Sequence, residues 1–229
     1  VIGRVLEKAG YRVAILPQPN WRDDLRDFKK LGKPNLFFGV TAGNMDSMVN
    51  HYTAAKRLRS DDAYTAGNKS GFRPDRAVDV YCNILKDLYP DVPVVIGGIE
   101  ASLRRFTHYD YWEDHLREPV LLTSKADWLV YGMGERTIVD IAGILAEDKG
   151  LTEIAEIPQL VRIDSGSSFQ QQSGDVVLHA HEDCLSDKRK FASNFVKIER
   201  ESNRQISNRI VQPVGDKMIV ANAPWPVMD

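Results

Sequence analysis

PVVIGGIEASLRRFTHYDYW, residues Pro93 to Trp112, is the stretch on which the fold turns. The apolar run Val94-Val95-Ile96 meets two glycines, Gly97 and Gly98, and reads as a short buried strand closed by a tight turn. An acid, a hydroxyl and two arginines follow at once (Glu100, Ser102, Arg104, Arg105). A dense aromatic group, with Tyr109, Tyr111 and Trp112, comes next. In an open α/β sheet, ligands sit beyond the carboxyl ends of the strands, so polar groups just past such a strand are the first candidates for function.

Two further strand ends resemble it in character. Leu36 to Val40 (LFFGV) is followed by TAGNMDSMVN, in which Asn44 or Asp46 can cap a helix running through Met48 and His51. Trp128 to Tyr131 is a third buried strand, and the glycine turn Gly132-Met133-Gly134-Glu135-Arg136 opens a helix through Ile138, Ile141, Ala142 and Leu145. If the three strands run parallel, all three turns fall on one rim.

Around them the chain reads as alternating elements. Ile2, Val5, Leu6 and Ala9 recur at helical spacing before Gly10, Arg12 to Leu16 (RVAIL) is a candidate strand, and Trp21 to Leu31 is an amphipathic helix. Ser60 to Pro74 is too rich in Gly, Asn, Ser and Asp for regular structure, and a helix then runs from Pro74 to about Tyr89. The order predicts an α/β fold: a doubly wound, mostly parallel sheet of the cobalamin-binding or flavodoxin-like kind over residues 1–150. From Leu151 the pattern changes to a small irregular α+β extension, 151–229. It has candidate strands LVRI and VVLHA, a helix from Lys188 to Asn203, and the strands RIVQPV and MIVANAP around Gly215-Asp216, set to join a sheet edge. Val1 opens the chain in mid-pattern and APWPVMD ends it without a cap, so a longer polypeptide is expected.

Bulk composition excludes several classes of function. With 30 basic against 32 acidic residues, no whole-molecule field favours nucleic acid or an anionic membrane. No apolar run reaches the roughly 18–20 residues a membrane span needs, and a cytoplasmic location is expected. Cys82 and Cys184 are far apart and read as free thiols. Two cysteines are too few for an iron–sulfur cluster, which takes three or four thiolates.

Among motifs, GMGER is not a dinucleotide fingerprint, because Thr137 stands where the third glycine would fall, and no phosphate-loop lysine follows a glycine cluster. His179, His181, Glu182 and Cys184 have the composition of a metal site, but only the two histidines, alternating along a strand, would share a face; a solvated strand end is the favoured reading. For Glu100, Ser102, Arg104 and Arg105 the simple reading is a helix cap with surface arginines. The functional one is that Gly97 and Gly98 admit a ligand to the backbone while Arg104 or Arg105 pairs with an anion. The aromatic cluster favours function, since so much ring surface beside a strand end covers a ligand or another domain.

Three strings, TAGNMDSMVNHYTAAKRLRSDDAYTAGNKSGFRPDRA, VIGGIEASLRRFTHYDYW and ADWLVYGMGER, closely resemble the amino-terminal region of the YgiQ-type radical S-adenosylmethionine proteins. The resemblance is strong from Val1 to about Ala146. It implies a cobalamin-binding-type Rossmann domain placed before a radical-enzyme barrel that carries a 4Fe-4S cluster and S-adenosylmethionine. The C-x-x-x-C-x-x-C motif of that barrel is absent here, as is the D-x-H-x-x-G frame whose histidine would ligate cobalt; His51 and His108 both lack it. The resemblance therefore implies an accessory domain without catalytic residues, metal or cofactor of its own, performing no turnover alone.

The expected ligand-binding or docking set is Asn44, Asp46, Gly97, Gly98, Glu100, Ser102, Arg104, Arg105, Tyr109, Tyr111, Trp112, Gly132, Gly134 and Glu135. It would shape a substrate or corrinoid-like site. The alternatives are a ligand-free docking module for the barrel or, less favoured, RNA binding through Lys56, Arg57, Arg59 and Lys69.

Overall fold

Val94 and Ile96 belong to one hydrophobic cluster and Val95, between them, to a second. That alternation is the signature of a strand buried on both faces. Leu129 and its neighbours Trp128 and Val130 divide in the same way. Helices contribute to both clusters, which makes the architecture doubly wound.

The structure, a computed structural model, describes residues 1–147 and 150–226. In chain order its elements are α1 (Ile2–Lys8), α2 (Arg26–Lys29), β1 (Phe38–Thr41), α3 (Ser47–His51), a 3-10 turn at Ala66–Asn68, α4 (Ala77–Leu88), β2 (Val94–Gly97), α5 (Gly98–Leu103), β3 (His108–Asp110) and β4 (His115–Arg117). Next come α6 (Val120–Ser124), β5 (Trp128–Val130), α7 (Glu135–Ala146), α8 (Leu151–Ala155), β6 (Leu160–Ser165), β7 (Val176–Val177), α9 (His181–Ser186), α10 (Lys188–Ser202), β8 (Ile210–Val214) and β9 (Lys217–Ala221).

One seven-stranded sheet runs β1-β2-β5-β6-β9-β8-β7. The expected α/β class is observed. β1, β2 and β5 are parallel neighbours in the order the crossover helices require, whereas β6 joins β5 antiparallel and continues through the β8–β9 hairpin. The turn at Gly215-Asp216 falls between those two strands as read from the sequence. On one face α4 packs Ala77, Val78, Tyr81, Cys82 and Leu85 with Val120 and Leu121 of α6; on the other lie Leu6 of α1, Ile138, Ile141 and Ala142 of α7, and Ile154 of α8.

Several local expectations are corrected. Arg12 to Leu16 is not a strand; Ile15 is 77% exposed, and Val13 packs on the second cluster without pairing to the sheet. The helix expected over Trp21 to Leu31 shrinks to Arg26–Lys29 because side chains take the amides it needs: Asn20 accepts from Arg22 N, Asp23 from Leu25 N and Asp24 from Arg26 N. Leu25 itself is left-handed at φ 59°. The helix placed from Pro74 starts at Ala77 behind a left-handed Arg76. VVLHA is strand only at Val176–Val177, and His181 opens α9, so His179 and His181 do not alternate along a strand. His181 is also buried, with Nδ1 3.0 Å from Thr107 Oγ1, in place of the expected solvated strand end. Val227 to Asp229 lie outside the described residues.

Candidate functional site

Register puts the three strand ends side by side: Thr41 is level with Gly97, and Gly97 with Val130. The three turns therefore meet on one carboxyl rim. Gly98 is left-handed at φ +85°, and a Cβ there would come 2.5 Å from Thr41 Oγ1. Only glycine lets the chain leave β2 and enter α5 without a pause. At Gly134, the residue before α7, a Cβ would collide with the Val130 side chain.

The turn into α5 aims Glu100 inward. It is 1% exposed; Oε2 accepts from Ser47 N at 2.7 Å and Oε1 from Val78 N at 3.1 Å, so one carboxylate serves the amino ends of α3 and α4 together. That is a capping role executed across the tertiary structure, with both helix dipoles favouring the negative charge. Arg104, also buried, completes the network with Nη2 at 2.8 Å from Asp46 Oδ2 and Nη1 at 3.4 Å from Glu100 Oε2. Of the two caps expected for α3, Asp46 is the one used, accepting from Met48 N and Val49 N. Asn44 makes no α3 cap contact.

Arg105 differs from its neighbour. Its Nη1 donates to Ser102 O at 2.6 Å, and its guanidinium lies over the Phe106 and Tyr131 rings, 5.4 and 5.0 Å from their centroids. Among the described residues no carboxylate is within ion-pair distance of it. Burial lowers the pKa of Arg105 and pushes Tyr131 up to about 12. Ser102 Oγ accepts from Gly132 N at 3.4 Å, which ties α5 to the GMGER turn. Gly132 is exposed and Glu135 is half-buried in the first turn of α7.

The aromatic cluster is only partly available. Trp112 and Tyr111 stack edge-on, Tyr111 Oη donates to Ala54 O at 2.6 Å, and Lys56 Nζ reaches Trp112 O at 3.2 Å. Tyr109 donates to Asp114 at 2.5 Å. These residues brace an unforeseen β3–β4 hairpin against the segment after α3. His108 donates Nδ1–H to Phe106 O if that nitrogen carries the proton, and burial takes its pKa down to about 4. Arg59, from the basic set, is held by Val49 O and Tyr52 O.

Sequence reading missed the residues that do face outward on the rim: Ile99 (49% exposed), Leu103 (65%) and Met133 (82%). Ile99 and Leu103 stand one helical turn apart, a spacing that was legible, but its direction was not. Concavities of 560 and 340 Å3 lie elsewhere, the larger between α1, α7 and Trp225. The chain does not fit a cluster: Cys82 on α4 and Cys184 on α9 are both buried, burial raises both thiols, and no group of three metal-ligating side chains occurs among the described residues. No helix among them is long and apolar enough to cross a membrane.

Comparison with known proteins gives a consistent result. A family model described as Radical SAM N-terminal matches residues 1–229. The chain is similar to a UPF0313 protein of Bacteroides thetaiotaomicron (54% identical; 100% of this chain, 38% of the relative) and to one of Porphyromonas gingivalis (56%; 100% and 36%). A third, from Geobacter sulfurreducens, is 48% identical over 98% of the chain and 37% of the relative. The chain thus spans little more than a third of the relatives it matches. No solved structure matches it. On the strength of a match along its whole length, the chain belongs to the Radical SAM N-terminal family.

Proposed function

We propose that this domain is an accessory, non-catalytic part of a larger radical S-adenosylmethionine iron–sulfur protein, and that it presents the β1-β2-β5 rim as the docking face for the catalytic portion. The observation that carries this reading is the division of labour on α5. The polar candidates Glu100 and Arg104 are consumed inside, together with Asp46, while Ile99, Leu103 and Met133 stand in solvent. Unpaired apolar side chains grouped beside a strand end suit a protein partner. The 4Fe-4S cluster and S-adenosylmethionine belong, on this reading, to the remainder of the polypeptide, as the family implies.

Hydrogen exchange on the full-length polypeptide tests it. Ile99→Ser with Leu103→Ser should accelerate exchange across residues 98–103 and 132–134 while leaving the β2 amides unchanged; unaltered exchange in the rim would refute docking. A substrate- or corrinoid-shaping rim is the competing reading. Ligand binding to the native state raises stability by roughly RT ln(1 + [L]/Kd), so a rise in melting temperature with hydroxocobalamin would favour it over docking.

A further inference from the structure

We infer that Arg105 receives a carboxylate side chain, aspartate or glutamate, from a part of the longer polypeptide carboxyl-terminal to this chain. The inference rests on the docking reading above and names the polar contact within that face.

Three observations converge on it. Arg104 and Arg105 are consecutive, yet Arg104 has Asp46 and Glu100 while Arg105 has no carboxylate within ion-pair distance among the described residues. Among the described residues Ser102 O and two ring faces attend Arg105, and Glu199 of α10 acts on it through space. A half-buried guanidinium that makes one hydrogen bond among the described residues, through Nη1, keeps a planar fork well shaped to grip a carboxylate.

The course of the chain supplies the occupant. β9 ends at Ala221 beside Val161, and the adjacent Leu160 pairs with Val130 at the carboxyl end of β5, so the polypeptide leaves the sheet at this same rim. Tyr131, the ring under Arg105, donates to Asn222 O at 2.6 Å. Three residues on, Trp225 lies 3.4 Å beneath the Arg136 guanidinium at the start of α7. The relatives extend far beyond the matched region, and the last described residues of this chain pass Tyr131, the ring under Arg105, on their way to Arg136.

Zero-length carbodiimide cross-linking of the full-length polypeptide tests the pairing. Arg105→Lys supplies an amine at the site, and digestion should yield a cross-linked peptide joining position 105 to an aspartate or glutamate beyond residue 229, absent from the wild type. Cross-linking to Glu199 or to any other acid within residues 1–229, or to none, would overturn the inference. Hydrogen exchange separates the two levels. Arg105→Gln should raise exchange across residues 132–134 by about tenfold or more, as expected for loss of a partly desolvated ion pair. If Leu103→Glu raises it and Arg105→Gln does not, docking stands and the ion pair falls; if neither does, both fall.

Discussion

The two faces of α5, six residues long, have opposite environments. On the inner face Glu100 joins the amino ends of α3 and α4, and Arg104 bridges it to Asp46. On the outer side Ile99 and Leu103 stand exposed, and Arg105, just past the helix, has rings and a carbonyl but, among the described residues, no acid. A buried charge that lacks its partner is penalised heavily, whereas an exposed apolar side chain costs almost nothing until something covers it. The inner face accordingly determines stability and the outer face is left to solvent, although the residues alternate within one turn.

Substitutions should break this contrast in a graded way. Glu100→Ala leaves the Ser47 and Val78 amides without an acceptor and Arg104 with Asp46 alone, and is expected to destabilise the chain by about 3–5 kcal/mol in chemical denaturation. A loss under about 1 kcal/mol would move Glu100 out of the inner class. Gly98→Ala combines a left-handed backbone with a close approach to Thr41, and about 2–3 kcal/mol is expected from the same measurement.

Acid titration sharpens the comparison a step further from the helix. Asp62 is 1% exposed and holds Arg73, which reaches Ala42 O behind the rim. Burial alone would raise its pKa; the Tyr64 amide, Thr65 and the Arg73 guanidinium outweigh that and lower it from 3.8 to about 2. Because the folded value lies below the ordinary one, its contribution is fully present above pH 3.8 and is lost as pH falls through about 2. Asp62→Asn should flatten that acid limb of the stability profile, on the order of 2 kcal/mol, and an unchanged limb would show that the Asp62–Arg73 pair does not set it. Smallest of all, Leu103→Ser should leave the chain within about 0.5 kcal/mol of the parent in urea denaturation.

Local signals made much of the architecture legible. Val94 to Ile96 before paired glycines and Trp128 to Tyr131 before GMGER each declared a buried strand and its turn, whereas LFFGV before TAGNMDS declared a strand that runs Phe38–Thr41 at the sheet edge with only Val40 buried. Strand and helix periods are set by the chain's own geometry over a few residues. Where the reading failed, at Arg12 to Leu16 and Trp21 to Leu31, apolar spacing was right but competing partners decided: no strand paired with the first, and Asn20, Asp23 and Asp24 captured the amides of the second.

By itself, then, the sequence determined three glycine-bearing strand ends and the residue types gathered around them. Only the tertiary structure decided which of those residues remain available. Glu100 finds its acceptor-seeking amides 22 and 53 residues away, and Arg104 meets Asp46 and Glu100 while its neighbour Arg105 lies over the Phe106 and Tyr131 rings. Hydrogen bonds and ion pairs saturate with whatever neighbours folding delivers, and no periodicity along the chain encodes those neighbours.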